Sequence, residues 1–211
     1  MTGSCVLIDY ESGNLHSAEK AFRRMSAETT GAPVSVTSDP EEVRAAERIV
    51  LPGDGAFPAC MAALRARHGL YEAMIEKVEG GTPFLGICVG MQLMATRGHE
   101  HGTTEGIGWI DAEVRRIPAE GLRVPHMGWN ELVLERPHPV LEGIGTGDHA
   151  YFVHSYAMEM GDGAQRLAHA DYGGPVTAVV AHENAVGAQF HPEKSQEAGL
   201  RLIANFLGWR P

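Results

Sequence analysis

The chain has 211 residues, enough for one compact domain with a sizeable core. It is 44% apolar and 21% charged, an ordinary composition for a globular protein in water. Its formal net charge of −10 argues against a binder of phosphate backbones, so nucleic acid is not an expected partner.

Cys5-Val6-Leu7-Ile8-Asp9 predicts a buried strand, ended by Gly13-Asn14. Asn14 is the expected N-cap of a helix from about Leu15 to Met25. Val34 to Thr37 predicts a short strand, and Ser38-Asp39-Pro40-Glu41 a capping box with proline in the first turn. Arg48 to Leu51 predicts the next strand, stopped by Pro52-Gly53. Alanine-rich helical sequence follows from about Ala59 to Val78, then a strand ending at Cys88 and a helix through about Thr96. Strands alternating with helices predict a parallel sheet with helical crossovers. From 106 to 190 the chain changes to short strand-like runs separated by Gly, Pro and Asp. Two of these, Val176 to Ala181 and Ala185 to Phe190, predict a hairpin around His182-Glu183-Asn184. A final helix from about Ser195 to Leu207 places Leu200, Ile203 and Leu207 on one face. With no repeat, low-complexity tract or linker, residues 1–211 are expected to form a single domain.

The chemistry concentrates at Gly86-Ile87-Cys88-Val89-Gly90, where an apolar run stops and a helix-compatible run begins. G-x-C-x-G is the cysteine form of a nucleophile elbow, a sharp strand-to-helix turn that presents the reactive atom. A helix start there favours a thiolate, and the Val89 amide could stabilise an oxyanion. Alone, the motif fits a buried structural thiol equally well. Gln189-Phe190-His191-Pro192-Glu193 supplies what a thiol nucleophile needs, a histidine base and a carboxylate to orient it. His191 and Glu193 are two apart, so in an extended segment both leave the same face. His191 stands 103 positions after Cys88 (191 minus 88), a gap that only the fold can close. Cys5, Cys60 and Cys88 are the cysteines, an odd count without C-x-x-C, so neither a disulfide framework nor a thiolate metal cage is indicated. A nucleophilic thiol needs a reducing compartment. No charged leader runs into an apolar segment, and apolar runs stop short of the roughly 20 residues that span a bilayer. The expected location is the cytoplasm, with no membrane partner. His99 and His101 form an H-E-H loop without an obvious third ligand, which reads as a solvated loop, not a metal site.

These segments resemble the class I (triad) glutamine amidotransferases. Further segments narrow the resemblance to the glutaminase subunits of imidazole glycerol phosphate synthase. They are Asp9-Tyr10-Glu11-Ser12-Gly13-Asn14-Leu15, Pro52-Gly53-Asp54-Gly55-Ala56-Phe57, Pro125-His126-Met127-Gly128-Trp129-Asn130 and Tyr151-Phe152-Val153-His154-Ser155-Tyr156. The resemblance runs from about residue 5 to about residue 208. It implies a flavodoxin-like α/β fold, with a mostly parallel central sheet, flanking helices and an added antiparallel β section. It implies hydrolysis of L-glutamine to glutamate and ammonia by Cys88, His191 and Glu193, without a cofactor or metal. The ammonia would pass to a cyclase partner of (β/α)₈ barrel form, in a heterodimer.

By the same resemblance, Val89 and the Gly53-Asp54-Gly55 strand form the oxyanion hole. Asp54 departs from the family's usual valine; a carboxylate facing an oxyanion would repel it, so Asp54 is expected to point elsewhere, toward the partner. Gln92, one helical turn beyond Cys88, is implied to contact substrate, as are Glu100 at the α-ammonium and His154, Ser155 and Tyr156 along the other wall. Tyr151, Lys194, Trp129 and Asn14 are implied at the cyclase interface. Three other readings fit the residues: a triad glutaminase of pyridoxal phosphate synthesis, a free-standing cysteine hydrolase, and an inactive regulatory subunit.

Overall fold

The computed structural model describes residues 3–11, 15–118, 121–161 and 163–211. The N-cap and interface roles expected of Asn14 lie outside the described residues. The first half alternates as the pattern predicts: β1 (Cys5–Ile8), α1 (Leu15–Glu28), β2 (Val34–Thr37), α2 (Pro40–Ala45), β3 (Arg48–Gly53), α3 (Phe57–Ala66), α4 (Leu70–Glu79), β4 (Phe84–Cys88) and α5 (Val89–Gln92). Asp39 caps α2 by accepting from the Glu41 amide, with Pro40 in the first turn. The alanine-rich stretch holds two helices. It breaks at Gly69, which takes φ 76°, a conformation that glycine enters without steric cost.

Most strands follow in the second half: β5 (Ala95–Gly98), β6 (Thr104–Glu105), β7 (Ile110–Arg116), β8 (His126–Glu131), β9 (Val133–Leu134), β10 (His149–His154), β11 (Tyr156–Met160), β12 (Arg166–Asp171), β13 (Pro175–His182) and β14 (Ala185–Ala188), before the closing helix α6 (Gln196–Gly208). The helix expected through Thr96 stops at Gln92. Beyond it, Ala95 and Arg97 to Gly98 are captured as a strand by β7, because pairing with a neighbouring strand outcompetes one more helical turn. The β13–β14 hairpin pairs His182 with Ala185 and turns at Glu183-Asn184, as predicted.

The main sheet runs β2-β1-β3-β4-β14-β13-β12-β9. Its β2-β1-β3-β4-β14 half is parallel, the doubly wound order, and antiparallel strands extend it. A four-stranded sheet, β11-β7-β5-β6, and a two-stranded ribbon, β10-β8, make the added β section. Phe22 of α1 meets Phe206 of α6 edge to face at 6.5 Å, both fully buried. The buried Arg48 guanidinium donates to the Phe206 and Trp209 carbonyls at the end of α6.

The parallel half depends on one close approach. A Cβ at Gly90 would overlap the Leu51 carbonyl, and one at Gly53 would overlap the Gly90 amide. So β3 and α5 touch backbone to backbone. Gly90→Ala is expected to cost at least about 3 kcal/mol of unfolding free energy, read as a lower urea midpoint or loss of soluble protein. An unchanged midpoint would mean that β3 and α5 do not pack this way.

Candidate active site

Cys88 ends β4 with φ 54° and ψ −112°, outside the comfortable regions for a residue with a Cβ. The elbow is present, but α5 is four residues long. So short a helix carries little dipole, and the electrostatic help expected from it must come from elsewhere. It comes from β14, which lies parallel to β4 with Ala188 opposite Ile87. The chain leaving β14 therefore passes the cysteine. Gln189 donates to Cys88 Sγ at 3.8 Å, and His191 hydrogen-bonds the same sulfur. His191 Nδ1 stands 2.9 Å from Glu193 Oε1. Glu193 sits in a single 3₁₀ turn, Pro192–Lys194, not in the extended segment that sequence spacing implied, yet it reaches the ring.

Burial alone would lower the His191 pKa. Hydrogen bonds to Cys88 and Glu193 outweigh that and raise it to about 9. The ring is therefore cationic at neutral pH, between a sulfur and a carboxylate. Cys88 and His191 are both buried, and the cavity between Ala18, the Pro52–Asp54 strand and His191 is about 10 Å³. That is roughly the space one water needs.

On the other side of Cys88 lies β3, with Gly53 directly opposite it. Gly55 follows at φ 117°, and Val89 opens α5. These are the positions expected to stabilise an oxyanion. Asp54 is exposed, in keeping with a carboxylate turned from the sulfur, and its carbonyl accepts from the Cys60 thiol at 3.5 Å. Burial pushes the Cys60 thiol up to about 11, so it stays protonated and can donate.

The residues expected to contact substrate also bond within the protein. Gln92 is buried, and its amide donates to the Tyr156 carbonyl at 2.8 Å and to Gln189 Oε1 at 3.0 Å, so these donor bonds go to protein. Glu100 accepts from the Phe57 amide at 2.8 Å, which caps α3 where Ala56 offers no side-chain acceptor. His154 is buried, and its Nδ1 donates to the Tyr156 carbonyl at 2.8 Å. Ser155 and Tyr156 are half-buried. The Tyr156 carbonyl thus accepts from both Gln92 and His154.

The expected interface residues share a surface. Tyr151 pairs with Trp129 across the β8–β10 ribbon, with rings edge to face at 5.8 Å. Trp129 and Met127 are 46% and 62% exposed, and Lys194 is exposed immediately after Glu193. His99 turns to Glu113, whose carboxyl is held low by hydrogen bonds from His99 and Arg115.

Sequence reasoning missed Gln189 and Ser195. Gln189 precedes His191 by two and belongs to the same alternation. Ser195 stands where an N-cap is expected, but its hydroxyl does not cap α6. It donates to the His191 carbonyl at 2.7 Å and accepts from the Tyr151 amide at 2.9 Å, while the His191 amide donates to the Tyr151 carbonyl at 3.0 Å. The clasp fixes the histidine to β10.

The His191 imidazole is expected to titrate near pH 9 by NMR, and at lower pH in Glu193→Gln. Its folded pKa lies above the unfolded value of 6.5. The stabilisation is therefore complete below about pH 6.5 and is lost as pH rises through about 9. An unshifted, ordinary titration in the wild type would contradict the paired geometry.

The sequence matches the family Glutamine amidotransferase class-I over residues 6–208. It is 64% identical over 208 residues to imidazole glycerol phosphate synthase subunit HisH of Ruegeria pomeroyi, covering 97% of this chain and 98% of that one. It is 63% identical to the protein of the same name from Cereibacter sphaeroides, covering 98% and 99%. In fold it resembles a solved glutamine amidotransferase (TM-score 0.73, 20% identity, 97% and 99% covered). It also resembles a glutamine amidotransferase from Thermotoga maritima (TM-score 0.64, 17% identity, 92% and 77% covered). With its elbow, doubly wound sheet and near full-length match, the chain belongs to the class I glutamine amidotransferase family, in the branch of the imidazole glycerol phosphate synthase subunits HisH.

Proposed function

We propose that this chain is the glutaminase subunit of an imidazole glycerol phosphate synthase, acting as one glutamine amidotransferase domain over residues 1–211 in the cytoplasm. The observation that carries the reading is the buried line of Cys88, His191 and Glu193, joined by hydrogen bonds at the edge of two parallel strands. The full-length similarity to HisH subunits gives that line its substrate and its partner.

In this reading the Cys88 sulfur, as thiolate, attacks the carboxamide carbon of glutamine. The oxyanion develops toward the Val89 amide and the Gly53–Gly55 strand. His191, oriented by Glu193, gives its proton to the departing nitrogen, and ammonia leaves a γ-glutamyl thioester. A water that passes its proton to His191 attacks the thioester. Glutamate departs, and the thiolate and imidazolium are restored. Ammonia passes to the partner, a cyclase of (β/α)₈ barrel form in a one-to-one heterodimer. There it converts the ribotide PRFAR to imidazole glycerol phosphate and AICAR, a step of histidine biosynthesis. Tyr151, Trp129 and Lys194 face that partner. The burial of Cys88 and His191 fits an enzyme that stays quiet until the partner and its ligand open the site.

Glutamate release is expected to be slow from the chain alone. It is expected to rise steeply when the cyclase barrel and its ribotide ligand are added, and to fall by at least roughly 10³-fold in Cys88→Ala. Strong activity from the isolated chain would point to a free-standing hydrolase. Activity retained in Cys88→Ala would end the proposed mechanism.

A further inference from the structure

β8 carries two opposed faces. Met127 and Trp129 point outward and are exposed, while His126 is 3% exposed on the inner side. His126 lies flat between the Phe152 ring at 4.7 Å and the Tyr172 ring at 4.1 Å. The mechanism above gives it no task.

Its hydrogen bonds run in one direction. The Tyr156 carbonyl can only accept, so His154 Nδ1 carries the proton between them at 2.8 Å. His154 Nε2 is then an acceptor, and His126 Nδ1 donates to it at 3.0 Å. His126 Nε2 in turn accepts from Asn130 Nδ2 at 3.2 Å. The Asn130 amide is fixed in that sense, because its Oδ1 accepts from the Glu131 amide and its Nδ2 also donates to the Asp171 carbonyl. The far end meets the reaction centre. The carbonyl of Tyr156 also takes the Gln92 amide, Gln92 bonds Gln189, and Gln189 bonds the Cys88 sulfur. Burial lowers both histidines to about 4, so the rings are neutral and keep these donor and acceptor roles at neutral pH.

We propose that His126 is a positioning residue for glutamine hydrolysis, the link by which the exposed β8–β10 ribbon sets the Tyr156 carbonyl and the Gln92–Gln189 pair beside Cys88. The proposal rests on the glutaminase reading and deepens it. It adds the route by which a partner seated on Met127, Trp129 and Tyr151 biases the site. A buried chain in which every donor has an acceptor is rigid, so shifting one end displaces the other. Two apolar residues would fill the same volume without needing matched partners.

The test uses the complex with the cyclase barrel. His126→Phe keeps the aromatic stack and removes both nitrogens, whereas His126→Asn restores a donor near the Nδ1 position. Glutamine turnover is measured with and without the ribotide ligand, alongside turnover of the barrel fed ammonia directly. In His126→Phe the ligand-stimulated kcat is expected to fall roughly two- to thirty-fold, the range for changes along such networks. Unstimulated turnover should fall less, and ammonia-fed turnover should hold. His126→Asn should recover part of the loss. If His126→Phe fails to fold, Asn130→Ala, which removes the first donor of the chain from a half-buried position, is expected to lower the stimulation in the same sense. Full stimulation in the folded variants would overturn the proposal, and so would an equal loss with and without ligand. A wild-type complex that releases no glutamate would instead overturn the glutaminase reading.

Discussion

The pairing of β4 with β14 is the constraint on which the rest depends. These strands are about a hundred positions apart in the chain, yet they run parallel and in register, with Ala188 opposite Ile87. Parallel pairing requires a long crossover, and here the crossover holds all of the added β section. Both strands end together, so Cys88 leaves one and Gln189 to Glu193 leave the other at the same edge of the sheet. Ligand sites of open α/β sheets lie beyond such strand ends. On the other flank β3 sets Gly53 against Cys88. A one-residue slip of either neighbour would turn the site's side chains to the wrong face.

Much of this could be read from the sequence, for reasons that differ by element. β1, β3 and β4 announce themselves as short apolar runs with abrupt stops. The β13–β14 hairpin is bounded by polar turn residues, and the elbow is bounded by glycines. Each is local physics. The rest is decided by a distant partner. Residues after Gln92 have helical sequence, but β7 offers strand pairing to Ala95 and to Arg97-Gly98. Glu100 lies in a loop, and one of its oxygens caps α3, whose own N-cap position is alanine. Gln92 is buried and must satisfy its amide, which it does on the Tyr156 carbonyl and Gln189. Ser195 opens the final helical run and is a clasp. Tertiary hydrogen bonds of this kind leave no periodic trace.

The β8–β10 ribbon joins these observations. Its outer face is the aromatic patch of Trp129 and Tyr151, and its inner face packs His126, Phe152 and His154. Its backbone is tied to His191 by the Tyr151 amide through Ser195, and by the Tyr151 carbonyl directly. Its side chains lead toward Cys88 by way of Tyr156. So the two reacting groups, cysteine and histidine, are each held by the same small element, through separate sets of bonds. An element of two strands is weak by itself and takes its shape from what it packs on. That makes it a suitable place for an outside contact to act.

The two sets of bonds also limit the site from opposite sides of neutrality. His191 must be charged. Its folded pKa of about 9 exceeds the unfolded 6.5, so its pairing weakens as pH rises through 9. His126 and His154 must be neutral. Their folded values of about 4 lie below 6.5, so their contribution is intact above about 6.5 and is lost as pH falls toward 4. His154 faces both His126 and the His191 cation, and each opposes a charge on it. The arrangement works because burial acts on all three rings alike, while only His191 has a sulfur and a carboxylate to reverse it. One geometry therefore sets a cation beside the nucleophile and two neutral rings behind it.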